Sequence, residues 1–399
     1  MTKDDESSES LVDFLPAKHP IHRLSPVFRA DLARAQRSII ARAFPNAEDF
    51  CQRVFDDLKL AVQLPNGLKD QSVEAVADLP FADLLSLFMS INLTAGIPES
   101  VARLHAANLA QRSQLLRAFD DPDAALAWVT AKVIGIVAEL PKSAEEIEVG
   151  RNPGDVLDPY LLAASQALLC DGEFRQAIGV TVAHKALMIL EGLMGHLHEE
   201  VVGRMRGNVK NPEPRGTNAE FLDFAINPFP GADVIQPPPS VGEPLRLHQI
   251  KSKTGTLNSS GGNRLAEQMR RLRMTYPGAE FYSHALVGNT LRGHRSMGGM
   301  LRIEPSLIVL VGDASFRVLT GSQNGAELLL RLYQTAFAQA AADTGYNVET
   351  MTTLIVDTFR ERAFAEGEGY LESVLHSATR GEAGAQDSRI YRRLGRPRP

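Results

Sequence analysis

The segment from Pro230 to Gly255 constrains the fold of this chain more than any other. It reads PGADVIQ, then PPPSVGEP, then LRLHQIKSKTG. Proline cannot donate to a strand ladder, so a strand that opens at Asp233 ends where the prolines begin. The second apolar run alternates. Leu245, Leu247, Gln249 and Lys251 fall on one face, and Arg246, His248, Ile250 and Ser252 on the other. Two such runs across a long proline-rich turn predict a hairpin. Once paired, it brings Asp233 beside Gln249 and Lys251, so that a carboxylate, a second oxygen donor and an ammonium group converge.

Phosphodiester hydrolysis uses that combination. Magnesium takes oxygen ligands, usually only one or two of them carboxylates, and keeps several waters. The ion polarises the phosphate and acidifies an attacking water. A lysine offsets the charge that builds on phosphorus. Asp233 is the expected main ligand and Gln249 an amide-oxygen ligand, with the Ile250 carbonyl a further candidate. A neutral glutamine binds the ion less tightly than a carboxylate. Asp233, Gln249 and Lys251 are therefore the candidate catalytic residues, and Mg²⁺ the expected cofactor.

Around this hairpin the chain changes character. Residues 1–24 read as a disordered or irregular start. From 25 to 150 the periodicity is helical, with helices expected at Pro26–Phe44, Ala47–Val62, Ser72–Ile91, Ser100–Phe119 and Asp121–Leu140. This predicts an all-α N-terminal domain. A polar stretch with Pro153-Gly154 marks the boundary. From 151 to 380 strands mix with helices, which predicts an α/β or α+β core. Its strands are expected near Ala232–Gln236, Leu245–Ser252, Ala279–Gly288 and Ser306–Leu310. Its helices are expected at Gly179–Met205, Asn263–Thr275 and Gly325–Thr344. Residues 381–399 form an arginine-rich tail, expected to be flexible.

The net charge is −6, so a nucleic-acid site must be a local basic patch on a mildly acidic body. Two cysteines are too few for a zinc-finger cluster and fit a reducing compartment. The acidic start MTKDDESSES is unlike a signal peptide, and no apolar run approaches the roughly 18 residues of a membrane span. A cytoplasmic location is the expectation.

The hairpin resembles the PD-(D/E)xK nuclease motif in a relaxed form, with Pro230-Gly231-Ala232-Asp233 for the first half and Gln249-Ile250-Lys251 for the second. In such nucleases a glutamate from the preceding helix often joins the metal site. Here that helix contains HKALMILEGLMGHLHEEVVGRM. At about 100° per residue, Leu187, Leu190, Met194, Leu197, Val201 and Met205 form an apolar face, with Glu191 within or beside it. An acid on a buried face is costly unless paired or ligating. The resemblance thus implies Glu191 as the further catalytic and metal-binding acid, with Glu199 second. His198 reads as a core histidine.

Taken in order, HKALMILEGLMGHLHEE, the Asp233 hairpin, IKSKTG…GGNRLAEQM and SLIVLVGDASFRVLTG look like type II restriction endonucleases, in particular the BsaWI-like branch that cuts CCGG-containing sites. The likeness covers about Asp155 to Phe337. It implies a restriction-endonuclease-like core with a mixed central sheet flanked by helices, double-stranded DNA as partner, and a homodimer or higher homo-oligomer acting on a two-fold symmetric site. It also implies an acidic residue on the helix after the catalytic strand, for which Glu267 is the candidate. The arginine signature that many CCGG cutters carry after the lysine is replaced by Gly255-Thr256-Leu257-Asn258, which leaves the target sequence open.

DNA contacts fall in three places. Lys210 and Arg215, in RMRGNVKNPEPR, are expected on phosphates. The loop GNTLRGHRSMGGMLR offers Arg292, His294 and Arg295 as base readers, since arginine paired with guanine is the commonest specific contact. Lys253, Asn258 and Arg264 lie just past the catalytic strand and are further candidates. Two other readings stay open: a repair or phage-defence nuclease without sequence specificity, and a DNA-binding protein on a decayed nuclease fold, kept alive by Gln249.

Overall fold

The computed structural model describes residues 15–137, 158–212, 214, 221–253, 259–288 and 295–345, and beyond them 347, 349, 352, 353, 355–358, 360, 361, 369, 371, 374 and 375. The chain divides into two compact units, Met1–Val129 with Met194–Ala336, and Thr130–Leu193 with Phe337–Pro399. The division falls elsewhere than at residue 150.

The N-terminal helices are α1 (Pro26–Ser38), α2 (Ile40–Ala43), α3 (Ala47–Asp57), α4 (Glu74–Ala77), α5 (Phe81–Thr94) and α6 (Glu99–Ala118), followed by α7 (Pro122–Val137). Two expected helices are each broken in two. The first breaks at Ile39, whose backbone is extended (φ −51°, ψ 133°). There the chain passes from one core to another: Ala35 packs with the sheet described below, whereas Ile40 packs with Phe50, Phe55, Phe88 and Leu109. The second breaks before Pro80, because the residue ahead of a proline is kept out of the helical region.

In the second unit, α8 (Pro159–Leu169) starts at Asp158, whose side chain accepts from the amides of Tyr160 and Leu161. Helix α9 (Phe174–Val202) runs from the second unit into the first.

The first unit then builds a five-stranded sheet from β1 (Val209–Lys210), β2 (Val234–Gln236), β3 (Arg246–Lys253), β4 (Glu280–Val287) and β5 (Ile308–Val311). The strands lie in chain order, with β2 antiparallel to both β1 and β3, and with β3, β4 and β5 parallel. Parallel neighbours need crossovers, and α10 (Ser259–Thr275) and α11 (Arg295–Ile303) provide them. Helices α12 (Asp313–Thr320) and α13 (Gly325–Thr344) follow. The protein is thus a mixed α/β fold, with the expected hairpin in register Val234↔His248, Ile235↔Leu247 and Gln236↔Arg246.

One face of the sheet presents Ile235, Leu247, Phe281 and Ala285 to Leu265, Met269 and Leu272 of α10, to Met297 and Met300 of α11, and to Phe28 and Leu32 of α1. Helix α1 therefore belongs to the sheet's core and not to a separate helical domain. Ile21 and Leu24 are buried in the same core, so the part of the expected irregular start that is described is packed. Among the described residues no helix is long and apolar enough to cross a membrane.

Candidate active site

The site forms where β2 begins, at the edge of the hairpin. Asp233 stands one residue ahead of β2 and is held on both sides. Its own N–H donates to the His248 carbonyl at 2.7 Å, and its carbonyl accepts from the Asn211 amide at 2.9 Å. The Asn211 side chain donates to the Phe229 and Ala232 carbonyls, 2.9 and 2.8 Å away, and so clamps the turn that delivers Asp233. Within that turn Gly231 has φ +88°, and a Cβ there would lie 2.8 Å from Oε1 of Gln268 on α10. Only glycine combines that backbone with so close an approach.

The Asp233 side chain is buried. Its Oδ2 accepts from the Ile250 amide at 2.6 Å and from Gln249 Nε2 at 2.5 Å. In a strand the N–H and C=O of one residue leave on the same side. The Ile250 carbonyl is therefore turned toward the edge where Asp233 sits, as a further ligand would need. Gln249 reaches Asp233 with its nitrogen, so the pair satisfies itself by one hydrogen bond. Turning the amide over would set an oxygen beside the carboxylate, an arrangement that a cation between them would stabilise.

Two residues along β3, Lys251 is partly buried, with Nζ 3.7 Å from Glu199 Oε1. The other oxygen of Glu199 is 3.5 Å from Lys210 Nζ. Glu199 comes from the last turn of α9 and its side chain is nearly buried. Lys210 comes from β1, paired with Val234 next to Asp233. The approach of α9 to β1 depends on Gly203, since a Cβ there would lie 2.6 Å from the Lys210 Cβ and 2.8 Å from its Cα. The structure thus joins Asp233 to Gln249 and Ile250, and joins Lys251 to Lys210 through Glu199.

Of the other expected site residues, Glu191 is exposed and belongs to the second unit, as do the exposed Leu187 and Met188. The apolar stripe is covered at Leu197, Val201 and Met205, and there Glu199, the second choice, meets the lysine. Glu267 is exposed on α10, 3.9 Å from Arg270. Arg264 is exposed on the same helix. Lys253 ends β3 and Arg295 opens α11, with their side chains outside the described part. Residues 295–302 are helical, not the loop that was expected. Arg215, Asn258, Arg292 and His294 lie outside the described residues, as does the arginine-rich tail.

Asn211 and Gly203 escape a reading by residue chemistry, because Asn211 works by clamping two carbonyls with its side chain and Gly203 by lacking one. His198 is a core histidine: its Nδ1 lies 2.9 Å from the Tyr333 hydroxyl, and burial lowers its pKa to about 4. On β3 and β4, His248 and His284 are fully buried and share a 3.0 Å hydrogen bond, stacked with Tyr282. Burial pushes both well below the usual histidine range, His284 to about 3.

Among the described residues no three His, Cys, Asp or Glu side chains gather closely enough to hold an ion. No zinc-type centre is therefore built among the described residues. The oxygens at this edge are those of Asp233 and the Ile250 carbonyl, to which Gln249 would add a third if its amide turned over; such a set would suit a hard cation that keeps most of its waters. No protein-family model matches the chain, and no curated protein does.

Proposed function

We propose that this chain is a Mg²⁺-dependent DNA endonuclease of the PD-(D/E)xK kind, cutting double-stranded DNA at a defined sequence as a type II restriction enzyme. The observation that carries the reading is the meeting of Asp233 with the Gln249-Ile250-Lys251 strand across an antiparallel hairpin. A five-stranded mixed sheet with α10 crossing between β3 and β4 is compatible with a restriction-endonuclease-like core.

Each residue has a task in that chemistry. Asp233, fixed by Ile250 and Asn211, presents a carboxylate at a rigid position. With its amide turned over, Gln249 would add its oxygen, and with the Ile250 carbonyl it would complete the protein side of an oxygen site. A divalent cation there supplies Lewis acidity for phosphodiester hydrolysis. Lys251, two residues beyond Gln249 on the same strand face, would stabilise charge developing on the phosphate. A double-strand cut at a symmetric site calls for two copies of this arrangement, hence a homodimer or a larger homo-oligomer.

The test is a digest of a plasmid of known sequence in Mg²⁺. Discrete fragments with uniform ends support a sequence-specific endonuclease, and sequencing those ends gives the target. A smear points to a repair or defence nuclease without specificity. One observation favours the decayed alternative: Gln249 closes on Asp233 through a hydrogen bond that needs no ion. Retarded but uncut DNA would select that reading.

A further inference from the structure

Lys210 was expected on a DNA phosphate, and its ammonium shares the Glu199 carboxylate with Lys251. Its place is fixed from two sides: by the β1–β2 register, which sets it opposite Val234, and by the close approach of Gly203 to its Cβ. The charged side chains that these contacts assemble are one carboxylate, Glu199, and two ammoniums, Lys210 and Lys251, beside the hairpin that carries Asp233.

That set of charges has a consequence. A site with a glutamine at position 249 and an additional lysine attracts a divalent cation weakly, because two ammoniums offset the attraction of the Glu199 carboxylate at short range. It attracts a phosphate correspondingly well. We infer that Lys210 is a second substrate-binding cation of the active centre, and that its charge makes metal binding depend on DNA: the phosphate supplies the negative charge that the protein lacks, so DNA binds first and the cation follows. Glu199 is then a positioning residue, holding both ammoniums until the phosphate takes them.

This inference rests on the nuclease reading and deepens it. The experiment titrates Mn²⁺ into wild-type protein and into the Lys210→Met, Lys210→Gln and Lys210→Arg variants, without and with a DNA duplex carrying the cleavage site. DNA affinity is measured separately in EDTA. Wild type should bind Mn²⁺ weakly alone and at least about tenfold more tightly with DNA. Loss of one charge in Lys210→Met and Lys210→Gln should tighten Mn²⁺ binding to the DNA-free protein by about 3- to 10-fold. The same loss should weaken DNA binding in EDTA by a similar factor. Lys210→Arg should match wild type in both. Opposite signs for metal and DNA are not what a folding defect produces. Equal or weaker Mn²⁺ binding in both neutral variants overturns the inference and leaves the nuclease reading standing. Wild-type protein that binds no Mn²⁺ even with DNA overturns the nuclease reading itself.

Discussion

Gln249 donates its side-chain N–H to the carboxylate of Asp233, so the amide that replaces an acid in this site is held by the acid that remains. The pairing predicts a stability effect with a sign that depends on metal. In Gln249→Glu the donor becomes a second carboxylate facing Asp233 in a buried place. Without metal the variant should lose on the order of 1–3 kcal/mol. Adding Mn²⁺ should restore much of it and bind more tightly than in wild type. Chemical denaturation in EDTA and in Mn²⁺ measures both. A variant equally stable in the two conditions would place residue 249 away from the cation.

Gly203 yields a second expectation. Its missing Cβ is what allows the end of α9 to rest on Lys210. Gly203→Ala should therefore force the helix end and β1 apart, costing on the order of 1–3 kcal/mol, and should weaken the Glu199–Lys210 ion pair. Thermal unfolding together with DNA affinity in EDTA reports both. An alanine variant as stable as wild type would mean that β1 yields freely at this point.

Acid should destabilise the fold through its buried histidines. His198, His248 and His284 are neutral in the folded chain because burial lowers their pKa values, to about 4 and about 3 for His198 and His284. In the unfolded chain they take up protons near pH 6.5. Their stabilisation is complete above that pH and is lost as pH falls from about 6.5 toward the folded values. For His198 alone this is on the order of 3 kcal/mol. Urea midpoints at pH 7 and pH 5 should differ accordingly, and His284→Leu should flatten the dependence. An unchanged slope in that variant would exclude the buried pair as its source.

The hairpin was legible because strand alternation and proline chemistry act over short distances. Asp233, Gln249 and Lys251 could be set together from spacing alone. The choice between the two helix glutamates was not, because apolar periodicity marks a face without saying which turns are covered: Leu187 on the stripe is exposed, and Glu199 sits where Leu197 and Val201 are buried. Lys210 lies on a two-residue strand, too short to show a period. The glycine-rich run after β4 suggested a loop, yet Arg295–Ile303 is helical, its Met297 and Met300 buried against the sheet's core. Tertiary burial overrides local composition there. Nor does any local signal show that α1 joins a core formed by strands some two hundred residues later, since Phe28 and Leu32 would suit a helical bundle equally well.

Asp233 carries the central claim, and one comparison tests it most directly. Wild-type protein and Asp233→Ala are incubated with the same plasmid in Mg²⁺, while binding to that DNA is followed in EDTA. The account predicts that wild type cuts, that EDTA stops it, and that Asp233→Ala, folded and still bound to DNA, cuts at least about a thousandfold more slowly. A folded Asp233→Ala variant that cuts at the wild-type rate, or wild-type cutting in excess EDTA, would contradict it.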